Sequence, residues 1–478
     1  MKKTLAILII FSISFTLYAQ NEIDALRYSL INYGGTARFS GLSGAYGAVG
    51  ADFTSLSQNP AGIALYRKSE FTITPVLFSD KTIASYLGQQ SENNRNAGYL
   101  GNIGFVYTQS MHGKAGPLVQ VQFGFGLNQL SRFSNSMTIS GFNNDNSLLK
   151  TYVDEVNYSG APPKDWDNYG AGLAYDANLI FYDSTEMRWA ADMENGGIQQ
   201  TNFVETMGST NETVLSAGAN IADKVFLGIT FAFPFIRYES HSTLTEDDNE
   251  NLNSYYDSFT RYEYLQTRGS GFNFKAGIIV MPVKFIRIGG AVHTSTNYYN
   301  MSDFYYTSMS SSFSGGEHYS ERSPDGYFDY ELKTPLRALG SIAILLGKYG
   351  LISADYEYID YTNSSLWAYD YSFNDENNAI KSQYTSANNL RFGAEVRANI
   401  FTLRGGYSMY GTPYKGESTI GERTGYSCGI GVRQNGMIID FAYNHSSAEA
   451  NYYMYSIATP SHNQIKTNTY SLTVGYRF

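Results

Sequence analysis

Basic side chains recur on the polar faces of segments whose residues alternate between apolar and polar types. Four of them could hold the carboxylate group of a ligand: Lys275, Arg287, Arg391 and Arg404. Arginine suits this chemistry because its planar guanidinium group can donate two parallel hydrogen bonds to one carboxylate. Alternatively, each charge pairs with an acidic residue of a neighbouring segment and has a structural role. The sequence leaves both interpretations open.

Catalytic and metal-binding patterns are absent from the sequence. A serine hydrolase would need a histidine held beside a serine, and a structural zinc site would need closely spaced ligands. The six histidines are scattered and none belongs to such a motif. We therefore expect no enzymatic activity, no metal site and no cofactor. His318, in the stretch GGEHY, is the residue to test if the ligand proves to be haem. The alternative is that His318 is an ordinary loop residue without a role in binding.

The N-terminal residues indicate export from the cytoplasm. Residues 1–19 contain two lysines, an apolar run from Leu5 to about Leu17, and Ala19 before Gln20. This is the pattern of a secretory signal peptide, and the run is too short for a membrane-spanning helix. The net charge of −10 argues against nucleic-acid binding, and a single cysteine, Cys428, excludes an internal disulfide framework.

The rest of the chain has the composition and the alternation of a membrane β-barrel. Aromatic residues make up 15% of the chain and charged residues only 16%. The C-terminal stretch TYSLTVGYRF places apolar residues at every second position from Tyr470 to Phe478. Strict period-two alternation predicts a strand with one apolar face, and such strands, rich in aromatic residues, form transmembrane barrels.

About fourteen segments share this pattern, and the lengths of the links between them alternate, apart from the seven-residue link at 111–117. Short links, such as 223–224 and 435–436, are separated by long polar stretches. Outer-membrane barrels have this arrangement, with tight periplasmic turns and long outer loops. The sequence therefore predicts an all-β, antiparallel transmembrane β-barrel with both termini in the periplasm. The expected strands are 70–79, 99–110, 119–127, 213–222, 225–233, 262–281, 285–297, 335–346, 350–361, 388–398, 401–411, 425–433, 437–446 and 468–478, and the expected outer loops are 80–98, 132–212, 241–261, 298–333, 362–387, 412–424 and 447–467.

The last strand should pair with the first, because an open sheet edge is not tolerated in lipid. Its terminal Phe478 also resembles the signal that the outer-membrane assembly machinery recognises. Before the first strand, residues 20–66 are rich in small side chains and lack alternation. A short helix at 45–57 followed by a turn at Asn59-Pro60-Ala61-Gly62 is expected there. This segment is either a periplasmic leader or a hatch. A hatch would pack inside the barrel, which is expected to comprise residues 67–478.

Several stretches resemble the FadL-type long-chain fatty-acid transporters, an outer-membrane family that also carries aromatic hydrocarbons. Residues 44–48 and 55–62, with Asn59-Pro60-Ala61-Gly62, resemble the N-terminal hatch of that family. Residues 269–296, 334–363 and 390–413 resemble three of its wall hairpins. The overall pattern is similar to a branch sometimes labelled haemin receptors. The long loop 132–212 has no counterpart that we identify.

The resemblance implies a fourteen-stranded barrel blocked by its hatch. It also implies passive transport of a hydrophobic small molecule, which is held beside the hatch and released sideways into the outer membrane. The expected partners are this ligand and outer-membrane lipid, and the expected state is a monomer. Two alternatives remain open. One is a secretion-accessory or surface-binding barrel with a protein partner, and the other is haem capture.

Overall fold

A computed structural model describes residues 21–111, 116–416 and 421–478. The signal peptide expected at residues 1–19 lies outside these ranges. None of the described helices is long and apolar enough to cross a membrane. The α-helices are α1 Glu22–Arg27, α2 Ala37–Ser40, α3 Ser55–Gln58, α4 Leu148–Ser159, α5 Ala171–Asp176 and α6 Asn374–Gln383, and 3₁₀ helices span Pro60–Leu65, Pro163–Asp165 and Tyr361–Asn363.

Strands account for most of the chain. They are β1 Glu70–Tyr86, β2 Gln89–Ser110, β3 Leu118–Arg132, β4 Asn135–Asn143, β5 Phe181–Asp183, β6 Arg188–Ala190, β7 Ile198–Ile221, β8 Val225–Asp247, β9 Tyr256–Val283, β10 Ile286–His293, β11 Asn297–Phe313, β12 His318–Arg322, β13 Gly326–Lys333, β14 Arg337–Leu345, β15 Gly350–Asp360, β16 Ser365–Trp367, β17 Ser386–Ala398, β18 Phe401–Tyr410, β19 Arg423–Gln434, β20 Met437–Tyr452 and β21 Ser461–Arg477.

The wall is a closed antiparallel barrel of 14 strands. Two wall strands consist of two segments each, β10 with β11 and β13 with β14. The last strand, β21, pairs with β1 over almost its whole length, and the N–H of Phe478 donates to the carbonyl of Ser69 at 3.0 Å. This confirms the predicted transmembrane barrel, and each of the fourteen predicted strands falls on a wall strand.

Several stretches expected to be outer loops are instead continuations of the strands. Residues 80–98 form the upper part of a hairpin that turns at Leu87 and Gly88, both with positive φ, as a tight two-residue hairpin turn requires. Much of 241–261, 298–333 and 447–467 is also paired strand. These extensions were missed because polar residues interrupt the apolar alternation once the barrel has left the lipid.

The outer face of the barrel carries a belt of exposed apolar residues. On β8, for example, Leu227, Ile229, Phe231, Phe233 and Phe235 are all exposed at alternate positions. Such a band is what a hydrocarbon layer requires, since exposed apolar patches of this size are rare on proteins surrounded by water. We call the end that carries Phe478 and the turns at 222–224 and 435–436 the short-turn end, and the opposite end the long-loop end.

The N-terminal segment 21–66 lies inside the barrel and is called the hatch below. Almost every residue from Gly34 to Tyr66 is buried. The helix expected at 45–57 does not form, and only Ser55–Gln58 is helical. Gly44, Gly50 and Ala51 have positive φ values, which interrupt a right-handed helix. The 3₁₀ helix that follows begins at Pro60, after Asn59 has capped it by accepting a hydrogen bond from the N–H of Ala61.

The start of the described chain lies towards the long-loop end. The carbonyl of Glu22 accepts a hydrogen bond from the hydroxyl of Tyr384, and α1 packs near α6, which belongs to an outer connection. Asn21 borders a cavity with Tyr238 and Tyr452, far along their strands from the tight turns. Two periplasmic termini were expected, but Asn21 and Phe478 lie towards opposite ends of the barrel. The reason is that the hatch runs up through the lumen.

The mouth at the long-loop end is covered by a folded insertion. Residues 144–197, here called the cap, contain α4, α5 and the β5–β6 hairpin. Their apolar side chains form one core with the tips of the wall strands, including Leu149, Tyr152, Leu244, Phe259 and Phe313. The part of the expected loop 132–212 that lies outside the cap is mostly strand, in β4 and the first half of β7.

Candidate functional site

The wall has a seam between β2 and β3. Their ladder ends at the pair Asn102–Asn128, and β2 continues beyond it bonded to β1. The hatch fills the space that is left. The N–H of Asn32 donates to the carbonyl of Leu130 at 2.6 Å, and the N–H of Gly34 donates to the carbonyl of Gln129 at 3.0 Å. The backbone of the hatch thus takes the place of the missing strand pairing, as buried peptide groups require.

A cavity of about 350 Å³ lies beside the hatch at this seam. Its volume is in the range of small-molecule sites in proteins. Hatch residue Tyr33 and seam residues Tyr99 and Phe133 contribute rings to its lining, and polar residues of β17 to β21 form the opposite side. The lining includes the rings and aliphatic side chains of Tyr33, Phe39, Tyr99, Phe133, Tyr410 and Ile465, together with the charged groups of Asp80, Arg132, Arg391 and Arg423.

Two arginines make one side of the cavity positive. Arg391 is 1% exposed in its side chain and donates from Nη1 to Oε2 of Glu357 at 2.9 Å. Within the described ranges, its Nε and Nη2 atoms have no hydrogen-bond partner. Arg423 lies over the ring of Tyr410 at 4.0 Å, and Arg391 lies 5.9 Å from the same ring. Buried donors without partners are costly, so Arg391 is suited to bind an anion.

The third arginine of the lining is already neutralised. Arg132 donates from Nη2 to Oδ1 of Asp80 at 2.9 Å and lies over the ring of Phe78 at 3.6 Å. Both residues line the cavity, and Arg132 lies shortly before the start of β4. The positive charge available to a ligand is therefore concentrated at Arg391 and Arg423.

The other three basic residues singled out in the sequence hold the hatch or the wall. Lys275 binds Glu212 at 2.6 Å and the carbonyl of Ser57 at 3.2 Å. Arg287 donates to the carbonyl of Val49 at 2.7 Å, and Arg404 binds Glu395 at 2.8 Å and Asp440 at 2.6 Å. The lining of the cavity includes Arg391 and none of these three. Arg423 was missed because the predicted strand began two residues after it.

The hatch motif Asn59-Pro60-Ala61-Gly62 packs against a row of wall glycines. Gly218, Gly228 and Gly277 are cross-strand neighbours on β7, β8 and β9. A Cβ atom at Gly228 would overlap the carbonyl of Pro60, and one at Gly277 would overlap the side chain of Asn59. The side-chain amide of Asn59 also donates to the carbonyl of Gly47 at 2.6 Å. The motif therefore fixes how closely the hatch approaches the wall.

Two histidines can be placed relative to the cavity, and neither of them lines it. His318 is exposed on β12 and its Nδ1 lies 2.9 Å from the hydroxyl of Ser312. Within residues 21–111, 116–416 and 421–478, no group of three or more His, Cys, Asp or Glu side chains could hold a metal ion. His293 is buried in the wall and contacts the carbonyl of Gln58 at 2.7 Å, which ties it to the hatch.

Known structures share this architecture at low sequence identity. No family model and no curated protein sequence matches the chain. A Pseudomonas aeruginosa FadL homologue is similar over 93% of this chain and 98% of its own, with 12% identity and a TM-score of 0.57. The P. putida toluene transporter TodX has 10% identity and a TM-score of 0.55, over 94% and 99%. The CymD monoaromatic hydrocarbon channel has 10% identity and a TM-score of 0.52, over 94% of this chain and 99% of its own. The chain therefore has the fold of the FadL-type barrels, as its motifs suggested.

Proposed function

We propose that this protein is a passive outer-membrane channel for hydrophobic small molecules with an anionic head group, of which long-chain fatty acids are the main candidate. The observation that carries the proposal is the unpartnered guanidinium nitrogens of Arg391 at the cavity beside the hatch, in the part of the chain that the structure describes. The structural relatives include a FadL homologue and channels for toluene and other monoaromatic hydrocarbons. Their shared fold supports transport of hydrophobic molecules as the general class.

The lining of the cavity favours an amphipathic ligand over a pure hydrocarbon. The rings of Tyr33, Phe39 and Phe133 can cover an apolar chain, and such burial is favourable at about 25 cal/mol per Å². A hydrocarbon would leave Nε and Nη2 of Arg391 without acceptors among the described residues, and Arg423 without an anionic partner in the cavity, which is unfavourable. A carboxylate placed between them would satisfy both groups.

Binding of a fluorescent long-chain fatty acid to the purified protein tests the proposal. Competition with oleate, toluene and haemin in separate titrations identifies the ligand class. We expect oleate to compete best, and Arg391→Gln or Arg423→Gln to weaken its binding at least tenfold. Arg322→Gln, which removes an exposed charge outside the cavity, is the matched control. Displacement by haemin alone, or equal binding by all variants, would contradict the proposal.

We also propose that the ligand leaves through the seam between β2 and β3. The cavity borders the seam, and hatch residues 32–34 are bonded to β3 there. Breaking two backbone hydrogen bonds is a smaller change than opening a complete strand ladder. Movement of this short segment would connect the cavity to the lipid without disturbing the rest of the wall.

A cross-link across the seam tests this exit. In a Cys428→Ser background, Tyr99→Cys and Gln129→Cys would be joined by a bifunctional thiol reagent. We expect uptake of fatty acid into vesicles to continue in this variant before the reagent is added and to stop after cross-linking. A control cross-link between Thr424→Cys and Ser447→Cys, on strands that are already paired, should leave uptake unchanged. Continued uptake with the seam joined would show that the exit lies elsewhere.

A further inference from the structure

Two arginines lie directly opposite each other on the outward face of the wall. Arg237 of β8 and Arg268 of β9 are cross-strand partners, and both side chains are exposed. Arg237 binds Glu239 at 3.0 Å, and among the described residues Arg268 has no ion pair. Like charges in directly opposed positions destabilise a sheet. An anion from outside the protein would relieve this repulsion.

The height of the pair on the barrel indicates where that anion lies. Phe233 and Phe235 of β8 are the last members of the apolar belt on this strand, and Phe272 packs beside Phe233 with ring centroids 5.5 Å apart. Arg237 follows Phe235 by two residues, which is about 7 Å along a strand. The arginine pair therefore stands just beyond the hydrocarbon, at the level of lipid head groups on the long-loop side.

Above the arginines, the outward face carries a continuous set of aromatic rings. We call Tyr264, Phe304, Tyr306 and Tyr327 the ring ladder. Tyr264 stacks on Tyr306 with centroids 5.4 Å apart, and Phe304 lies 5.1 Å from Tyr327, which is 72% exposed. Tyrosine rings offer an apolar face and a polar hydroxyl together. They suit a ligand that is itself partly apolar and partly hydroxylated, as a sugar is.

A second like-charged pair lies on the outward face of the wall, where Lys81 of β1 faces Lys466 of β21. Lys81 binds Glu92 of β2 at 2.6 Å, and among the described residues Lys466 has no ion pair, so this pair has one acidic partner, as the arginine pair has. At the arginine pair, Glu239 binds Arg237, and the acidic residue of the cross-strand row that contains both arginines, Asp329, lies two strands away from Arg268. Arg268 is the group left for an external partner.

We propose that this strip of the outer wall binds one phosphorylated glycolipid of the outer leaflet. The phosphate lies between Arg237 and Arg268, the sugar rests against the ring ladder, and the acyl chains cover Phe233 and Phe235. Arginine is suited to phosphate because its planar donor groups match the oxygen geometry. Along β8, β9 and β11 the apolar belt lies below both the cationic pair and the ring ladder, as the acyl chains of such a lipid lie below its phosphorylated sugars.

The test titrates lipids into the folded full-length barrel in detergent and detects bound lipid by native mass spectrometry. The main probe is an acylated glucosamine disaccharide that carries two phosphates. The comparison probes are the same disaccharide without phosphates, phosphatidylglycerol, and inorganic phosphate. With the unmodified protein, we expect the phosphorylated disaccharide to bind at least tenfold more tightly than either other lipid. Inorganic phosphate at millimolar concentration should not displace it.

Variants then assign the contacts. The double variant that combines Arg237→Gln with Arg268→Gln should lower the affinity for the phosphorylated disaccharide at least tenfold. Its affinity for the unphosphorylated disaccharide should be unchanged. Tyr306→Leu should weaken both disaccharides and leave phosphatidylglycerol unchanged. Lys348→Gln, which removes one charge at the short-turn end, is the control. Equal binding of phosphatidylglycerol, displacement by inorganic phosphate, or unchanged binding by the arginine variants would each overturn the proposal. If a variant does not fold, the comparison of the probes on the unmodified protein still tests whether the wall binds the phosphorylated glycolipid selectively.

Discussion

Arg38 of the hatch donates two hydrogen bonds to Glu395 of the wall, from Nε to Oε2 at 3.0 Å and from Nη2 to Oε1 at 3.3 Å. Both side chains are buried. Glu395 also binds Arg404 and Arg397 of the wall, at 2.8 and 2.6 Å. One carboxylate thus joins a cation of the hatch to two cations of the barrel, and a buried carboxylate needs such partners.

Arg38→Gln should loosen the hatch without unfolding the barrel. Glu395 keeps two wall arginines, so the loss is that of hydrogen bonds to a charged group, about 1.5–3 kcal/mol. We expect more frequent opening of single channels in planar bilayers. Arg397→Gln is the matched control, because it removes a partner of the same carboxylate from the wall side. If both variants opened the channel equally often, Arg38 would have no special role in holding the hatch.

Gly228→Ala should displace the hatch motif by steric overlap. A Cβ atom at Gly228 would collide with the backbone of Pro60 and Ala61, which are buried against the wall. We expect weaker ligand binding and a higher basal conductance, with the barrel still folded. Gly340→Ala on β14 is the control, since no atom of another described residue lies within 4 Å of the position that its Cβ would take. Unchanged conductance in Gly228→Ala would mean that the hatch does not depend on this close contact.

The two faces of β21 should tolerate charge very differently. Leu472 is 41% exposed within the apolar belt, whereas Thr469 lines the cavity. An arginine on the lipid face costs about 2–4 kcal/mol at the bilayer midplane, and one facing water in the lumen costs little. Leu472→Arg should therefore lower the heat-modifiable folded fraction in the outer membrane much more than Thr469→Arg. Equal folded fractions would contradict the assignment of the faces.

The sequence predicted the wall because the lipid imposes a simple pattern on it. From Phe226 to Phe235, buried and exposed positions of β8 alternate strictly, and from Leu227 onward large apolar residues occupy the exposed positions. Beyond the lipid this constraint ends. Residues 241–247 of β8 are paired strand, yet both of their faces carry polar side chains, so no apolar face is visible in the sequence. For the same reason the hairpin at 80–98 was expected to be a loop.

The site was harder to predict, because its properties depend on partners that are distant in sequence. Arg391 and Arg404 look alike in their strands, but Arg404 has two buried carboxylate partners and Arg391 has one. Only the cross-strand register and the path of the hatch distinguish them. The contact of residues 32–34 with β3 could not be foreseen either, since nothing in those residues marks them as a strand.

The cap is fastened to the barrel at the start of α4. The backbone N–H of Leu148 donates to Oε1 of Glu246 at 3.0 Å, and the hydroxyl of Ser147 donates to the other oxygen of the same carboxylate. Gln200 of β7 binds this carboxylate at 2.6 Å. A negative charge at a helix N-terminus satisfies free N–H groups and interacts favourably with the helix dipole. Glu246, at the tip of β8, therefore anchors the cap to the wall.

Glu246→Ala should make the cap open more often while the barrel stays intact. Leaving the Leu148 N–H and the Ser147 hydroxyl without a buried acceptor costs about 1–3 kcal/mol. Hydrogen exchange of the α4 amides should become about tenfold faster, since about 1.4 kcal/mol corresponds to a factor of ten. Asp247→Ala, at the next position on the opposite face of the strand, should leave exchange in α4 unchanged. If α4 exchanged at the same rate in both variants, the apolar core between cap and strand tips would be sufficient to hold the cap closed.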